Sequence, residues 1–502
     1  MSNDLTLFPE RSVRRVLAAG SALLAALLNA GCVNWSGDVA KYRGVLDGPQ
    51  PATRPAFDPA EELPLVRALQ LADADNETIA SRGEDYIQAL AEKMRQAGVF
   101  LPTLGLAPSY SLVGGNGFVI PGGIGTGGSA GGGGGSSGST GSTGSIPLVA
   151  GNRQFSVPLN ASMTGSLSNV SNLQAAGRTV QQRAQLLLDQ RETILLQVAQ
   201  FYYSALKAQR QAGVYENSLQ LKTEKVRDQE ARLKLGNVRP LDLAQGQADL
   251  AATRVSLIQA HTDAANARSA LARLIGVPAV TGPLSDAFDP PADIPTLDQW
   301  QQQAQTGRQD FLAAARAVES ARLSLEAAIR EYFPSVTVDF SYFLYNDPAS
   351  PQKWTSAFSA NIPIFSALSI EADVRKAWSL YRQAGLTQSL IRRQVADDVN
   401  QGFQNLQASR LKIADLKIEV EAAQRAFDLS ERAYQLGSVS NLDRLTQQDN
   451  LLTAQLNFVS EQFNQKSNYL SLLRSAGRLS SISSPVAGNG PDEEARPAAG
   501  GG

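Results

Sequence analysis

Residues 334–345 read Pro-Ser-Val-Thr-Val-Asp-Phe-Ser-Tyr-Phe-Leu-Tyr, and the apolar side chains fall at every second place. Val336, Val338, Phe340, Tyr342 and Leu344 alternate with Ser335, Thr337, Asp339 and Ser341, the period of a strand with one apolar and one polar face. The preceding stretch, Leu297 to Tyr332, has helical spacing, so the period changes at Pro334. A return strand follows through Trp354, Phe358, Ala360, Ile362 and Ile364. The same order stands upstream. A helical stretch from Leu63 to Val99 gives way after Pro102 to Leu104, Leu106, Tyr110 and Leu112, and a return strand runs through Phe155, Val157, Leu159, Ala161 and Met163. Pro158 and Pro363 call for edge or terminal positions, because proline cannot donate to a ladder. Strands of about ten residues suit a tilted transmembrane β-strand. A soluble sheet with one solvated face shows the same alternation, so the pattern leaves both open. Closure separates them: a sheet in lipid has no free edge, and four strands are too few for a barrel, which needs about eight. A membrane reading therefore requires several copies, each lending four strands.

The chain is duplicated. Leu235-Gly236 precedes Leu436-Gly437 by 201 residues, Leu241-Asp242 matches Leu442-Asp443, and Gly276 matches Gly477. Upstream, Asn76 and Leu101-Pro102 precede Arg308 and Phe333-Pro334 by 232. The difference of 31 residues is taken up by a Gly/Ser/Thr tract at 114–145, whose composition predicts a flexible loop. No proline interrupts Leu167–Leu235 or Ser366–Leu436, so each is expected as one helix of roughly 105 Å. A return helix of about forty residues should follow each glycine and run on into the next opening helix. Leu442, Leu445, Leu452, Leu456, Val459, Phe463, Leu470 and Leu473 recur with the 3–4 spacing of a coiled-coil seam. Residues 63–276 and 297–477 are thus the two repeats, with a linker at 277–296 and a disordered tail at 478–502.

Arg11, Arg14 and Arg15, then the apolar run Val16 to Leu28, have the form of a signal peptide over 1–31. Cys32, the one cysteine, stands where a signal peptidase would cut; it is either a buried thiol or a modified first residue. Residues 32–62 then serve as an anchor segment and linker. With one Cys and one His, His261, there is no disulfide framework and no expected metal site, cofactor or catalytic set. His261, among Ala, Gln and Thr, reads as a surface residue. A net charge of −2 offers nothing to nucleic acid. No Gly-x-x-x-x-Gly-Lys-Ser/Thr phosphate loop is present, so any transport energy must come from elsewhere. Tyr342, Phe343, Tyr345 and Trp354 gather at strand ends, as an aromatic girdle or as packing. Asp242 and Asp443, six residues past their glycines, read either as acids favouring a helix N-terminus or as a carboxylate ring at a pore mouth.

Taken together, Leu65, Ala68, Leu69, Ala72 and Asn76, the Leu101-Pro102-Thr103-Leu104 and Phe333-Pro334-Ser335-Val336 junctions, and Tyr434, Leu436-Gly437, Asn441-Leu442-Asp443 and Leu445 carry a resemblance over residues 63–477. The chain resembles the TolC-like outer-membrane efflux family. Ala30-Gly31-Cys32 resembles a bacterial lipobox, with Asn29 where leucine is usual, and points to the lipid-anchored branch. The resemblance implies an α+β membrane protein: long helical hairpins forming a periplasmic α-barrel, and four strands per chain in a trimeric, twelve-stranded outer-membrane β-barrel. It further implies a homotrimer in outer-membrane lipid, anchored at Cys32, acting as the exit duct for an inner-membrane pump through a periplasmic adaptor. Asp443 is then the leading gate candidate, with Asp242 behind it; Thr446 stands where a second acid is usual. The tips Leu235-Gly236-Asn237-Val238 and Leu436-Gly437-Ser438-Val439 become the adaptor-docking surface, whatever their role as left-handed turns. The competing readings are a lipid-anchored periplasmic coiled-coil structural or adhesion protein without a pore, and a periplasmic hydrolase, which a single His disfavours.

Overall fold

A computed structural model describes residues 35–47, 57–112, 153–236, 238–345 and 352–483. In chain order, α1 (Trp35–Asp47), β1 (Leu63–Pro64), α2 (Leu65–Asp75), α3 (Glu77–Gly98), β2 (Thr103–Leu106), β3 (Ser109–Leu112) and β4 (Arg153–Gly165) lead into the long α4 (Leu167–Lys234). Then come α5 (Pro240–Leu274), β5 (Leu284–Ser285), α6 (Leu297–Gly307), α7 (Gln309–Arg330), β6 (Ser335–Tyr345), β7 (Trp354–Asn361), α8 (Ser369–Gln435), α9 (Asn441–Ser475) and α10 (Ser480–Ser483). The described residues fall into two compact units, one drawn from 1–92, 176–321 and 380–502, the other from 93–175 and 322–379. Cys32, Asn237, the glycine-rich tract and the tail beyond Ser483 lie outside the described residues; residues 478–483, expected as the start of a disordered tail, are instead ordered, because Leu479 is buried in the core and α10 follows it.

The second unit carries one antiparallel sheet, in the order β2, β4, β6, β7, with β3 continuing the β2 edge along β4. Directly opposed residues share a face, so the register sorts the side chains. Leu104 opposes Ala161, which opposes Phe340; Met163 opposes Val338, which opposes Phe358; Leu159 opposes Tyr342, which opposes Trp354. Behind them Thr103, Ser162 and Asp339 align, and Thr164, Thr337 and Ser359 align. Hydroxyl pairs Thr103–Ser162 at 3.0 Å and Thr164–Thr337 at 3.2 Å bridge strands on this polar face. Phe340 and Trp354 stack on the apolar face with ring centres 6.3 Å apart. Leu104, Leu106, Phe340, Tyr342, Trp354 and Phe358 are all exposed, so the apolar face is an outer one in the single chain.

The prolines sit where the ladder tolerates them. Pro158 lies inside β4, a strand paired on both sides, and not at an edge; the register against β6 shifts between Val157 and Pro158, so a bulge absorbs the missing donor. The Pro158 carbonyl still accepts from the Ala107 amide at 3.2 Å. Pro363 falls just after β7, which ends at Asn361, sooner than the alternation through Ile364 suggests.

In the first unit the opening helices are broken. Leu63-Pro64 is not helical: it forms a parallel bridge with Leu284-Ser285, and the buried Tyr202 hydroxyl sits 2.7 Å from the Leu63 carbonyl and 2.6 Å from that of Ser285. At Asn76 the backbone turns extended, with ψ 122. The Asn76 side-chain oxygen accepts from the amides of Thr78 and Ile79, and its Nδ2 donates to the Leu274 carbonyl at 3.0 Å. An asparagine is thus the cap that separates α2 from α3. Arg308 makes the same break between α6 and α7, with ψ 119, its guanidinium held by Asp310 and by Asp398 at 2.6 Å.

The first return helix also stops short. Gly276 and Val277 donate back to Arg273 and Ala272, closing α5 at Leu274. Residues 277–296 are not helix; they contribute β5 and the buried Val280 and Leu284. Leu63, Leu69, Ile79, Leu195, Tyr202, Leu271, Trp300 and Leu470 join these in one core, and α1 adds Tyr42 and Leu46. On α9 the buried stripe starts through Asn441, Arg444, Leu445, Gln448, Leu451 and Ala454, with Leu442 exposed and Leu452 half-buried, so the seam is partly polar and shifted there, while Phe463, Leu470 and Leu473 are buried as the spacing expects. Among the described residues no helix is long and apolar enough to cross a membrane.

Candidate functional site

The two hairpin turns are built alike. At the second, the amides of Gly437 and Ser438 donate to the carbonyls of Tyr434 and Ala433, the paired bonds of a left-handed helix end, and Gly437 has φ +73. At the first, Gly236 has φ +74 and donates to Leu233. Both positions require a backbone that only glycine adopts without strain. The turns hold Leu235 and Leu436 outward at 74% and 84% exposure, while Val238 and Val439 are half-buried. Gly236, Gly437 and Ser438 are also exposed.

The two acids have different surroundings. Asp242 is buried and takes a bidentate pair from Arg239, with both contacts at 3.1 Å. Its charge is answered within its own turn. Asp443 is exposed: Ser440 Oγ accepts from the Asp443 amide at 3.1 Å, and Asp443 Oδ2 accepts from the Ser440 amide at 3.2 Å. That reciprocal box starts α9 and leaves the carboxylate facing solvent.

Behind the turns lies a polar network that joins the hairpins. Asn441 Nδ2 donates to the Asp242 carbonyl at 3.1 Å and to Gln245 at 3.2 Å, while its Oδ1 accepts from Gln229 and from the buried Arg444. Arg444 lies over the Tyr434 ring at 5.2 Å and reaches Glu431, which also holds Lys225 at 2.7 Å. Burial pushes the Glu431 carboxyl up, but Lys225 and Arg444 outweigh it and hold the group below its ordinary value. Farther along the helices, the Lys222 ammonium is 3% exposed and bridges Asp249 of α5 at 2.7 Å and Asp449 of α9 at 2.9 Å.

Thus Asp242 and the second turn come together through Asn441, whereas among the described residues the Asp443 carboxylate is bound to its own cap. Sequence reasoning missed Lys222, Lys225, Glu431 and Arg444, and met Asn441 only as part of the resemblance, without its linking role. In a sequence such charges look like a solvated helix face, and only the long-range pairings give them away. His261 is exposed, with Nε2 3.3 Å from Glu216.

Comparison with known proteins gives the same architecture. A family model described as outer membrane efflux protein matches residues 129–277 and 300–478, more than half of the chain. The chain is 23% identical over 332 residues to outer membrane efflux protein BepC of Brucella suis biovar 1 (strain 1330), covering 64% of this chain and 72% of that one. It is 26% identical over 359 residues to cation efflux system protein CusC of Escherichia coli O6:H1, covering 65% and 73%. Among solved structures, the outer-membrane channel OprN superposes with a TM-score of 0.70 at 16% identity, covering 86% of this chain and 98% of that chain. The Campylobacter jejuni CmeC outer membrane channel superposes with a TM-score of 0.68 at 17% identity, covering 83% and 86%. Mostly helical, with a small sheet built from both of its repeats, the chain belongs to the TolC-like outer membrane efflux protein family.

Proposed function

We propose that the protein is the passive exit duct of a tripartite efflux system: a homotrimer whose strands form a twelve-stranded barrel in the outer membrane and whose helices extend it through the periplasm. One observation carries this reading. The sheet has a continuous exposed apolar face, a polar face behind it, and two open edges, β2/β3 on one side and β7 on the other. Open edges are intolerable in hydrocarbon, so β7 of one copy pairs with β2/β3 of the next until the ring closes. A barrel of that size is wide enough for water. In this reading Cys32 is the lipidated first residue after a leader of residues 1–31, and the tips Leu235–Val238 and Leu436–Val439 meet a periplasmic adaptor that links the duct to an inner-membrane pump. Asp443, exposed just past the second tip, is the gate residue; three copies would ring the mouth with carboxylates and favour cations. Asp242, already paired, is a positioning group. The duct performs no chemistry and takes its driving force from the pump.

Purified protein inserted into planar bilayers tests this. It should give stepwise conductance from an SDS-resistant trimer, and Asp443→Ala should raise the open fraction and the leakage of a large antibiotic into cells. A water-soluble monomer without conductance refutes the duct; unchanged conductance and leakage in the variant refute the gate. Bulky substitutions beside Gly236 or Gly437 that spare trimer assembly and export would remove the tips from the docking role.

A further inference from the structure

The segment that follows β7 is the most exposed apolar stretch of the sheet unit. Ile364 is 96% exposed and Phe365 85%, with Ile362 and Leu368 exposed beside them, and no charged residue stands between Asn361 and Glu371. Its turn is held in an unfavourable shape: Ala367 and Leu368 have φ of 49 and 68, where a side chain crowds the backbone. The amides of Ser369 and Ala372 donate to the carbonyls of Ser366 and Leu368, so the turn is fixed on the start of α8.

The topology says what lies next to this turn once the trimeric ring closes. Each neighbouring pair of strands is antiparallel, so β7 runs opposite to β2. The end at which β7 finishes is therefore the end at which β2 begins. Within one chain the equivalent junction is already made. Gly165 at the end of β4 pairs with Val336 near the start of β6, and beyond it Ser171 of α4 is buried and takes a hydrogen bond from Arg330 of α7 at 2.6 Å. The segment after the first repeat's last strand thus packs on the helix that precedes the second repeat's first strand. By the duplication, the segment after β7 should pack on the helix that precedes β2. That helix is α3, and within one chain β2 and β7 are opposite edges of the sheet. The end of α3 and the turn after it present Met94, Val99 and Leu101, all exposed.

We infer that the Ile364–Leu368 turn is an intersubunit knob that seats on Met94, Val99 and Leu101 of the adjacent copy. The knob rests on the ring reading and adds to it a contact outside the sheet. It fixes which edge meets which, since the apolar turn lies at one edge and its receiving helix end at the other.

Paired cysteines in the full-length, membrane-inserted protein test it. Phe365→Cys is combined with Leu101→Cys; as a control for the ring, Ala357→Cys and Ser359→Cys are each combined with Thr103→Cys and Gly105→Cys. The unsubstituted chain, with Cys32 alone, and the single variants give the background. Within one chain β2 and β7 are three strand spacings apart, roughly 14 Å, beyond the ~7 Å a disulfide spans, so any link joins two copies. Mild oxidation should give dimer and trimer bands for the knob pair and for at least one edge pair. An edge link without a knob link overturns the knob and leaves the ring standing. Failure of all pairs overturns the ring and the knob with it. Labelling of Phe365→Cys by a membrane-soluble maleimide, without cross-linking, assigns the turn to lipid and overturns the inference. Phe365→Asp should abolish the SDS-resistant trimer; a trimer of wild-type yield also overturns it.

Discussion

Replacing Lys222 with methionine keeps the length of the side chain and removes the charge that two carboxylates share. The ammonium is 3% exposed; Asp249 is 17% exposed at its side chain, and its Oδ2 has no hydrogen-bond partner among the described residues. Asp449 is half in solvent and can rehydrate when the cation leaves. Breaking a fully buried pair costs about 3–5 kcal/mol, and an exposed one about 0–1. The loss should therefore lie near the lower figure for a buried pair, about 3 kcal/mol, almost all of it from stranding Asp249. The assay is a double-mutant cycle on unfolding of the detergent-solubilised protein, with Lys222→Met, Asp249→Asn and the two combined. Neutralising Asp249 removes the stranded charge, so the combined variant should recover about 2 kcal/mol relative to additivity. Asp449→Asn in place of Asp249→Asn should recover well under half of that. Additive effects, with coupling below about 0.5 kcal/mol, would refute the claim that this lysine is the electrostatic tie between α4, α5 and α9.

Other outcomes follow from single sites. Burial raises the Glu192 carboxyl above its ordinary value of 4.5, against the pull of Ser480 and Arg474. A raised acid weakens the fold where the unfolded chain is ionised, and the deficit disappears as the pH drops below the unfolded value. Glu192→Gln should then melt higher than wild type at pH 7.5, with the two curves converging by about pH 4; equal shifts at both pH values exclude burial of charge as the cause. Asn76→Ala strands the Thr78 and Ile79 amides and the Leu274 carbonyl, and should cost about 2–3 kcal/mol in denaturant titration. Gly437→Ala meets no atom within 4 Å, so its cost should be the backbone term alone, about 1 kcal/mol; a much larger loss would mean that the turn is packed against something.

The sequence carries the sheet and the long helices because each depends on a period. Val336 to Tyr342 alternate without interruption, and neither Leu167–Lys234 nor Ser369–Gln435 contains a proline. It does not carry the breaks at Asn76 and Arg308. Neither residue is a helix breaker by itself; Asn76 caps α3 through the Thr78 and Ile79 amides and is anchored by the Leu274 carbonyl, almost two hundred residues away. The bulge at Pro158 is hidden for the same reason, since the shift is a property of the partner strand. At the tips, the glycines and both acids are legible from the repeat, yet the sequence does not distinguish the Arg239-paired Asp242 from the exposed Asp443. That distinction rests on an arginine three residues away in one repeat where the other has Ser440. The Lys222 and Glu431 networks stay invisible, because their partners lie on other helices and follow no spacing along the chain.

The pairing of β4 with β6 has a further consequence, for biogenesis. Thr164 finds Thr337 across 173 residues, and Leu63 finds Leu284 over a still longer interval. Contacts so remote in sequence carry a high loop-closure entropy and form late. A chain threaded across a membrane from its N-terminus can pair β2 and β3 with β4 early, but cannot extend the sheet beyond β4 until β6 has emerged. Meanwhile the β6 side of β4, with Leu159 and Met163 waiting for Tyr342 and Val338, stays an unpaired edge of the kind that aggregates.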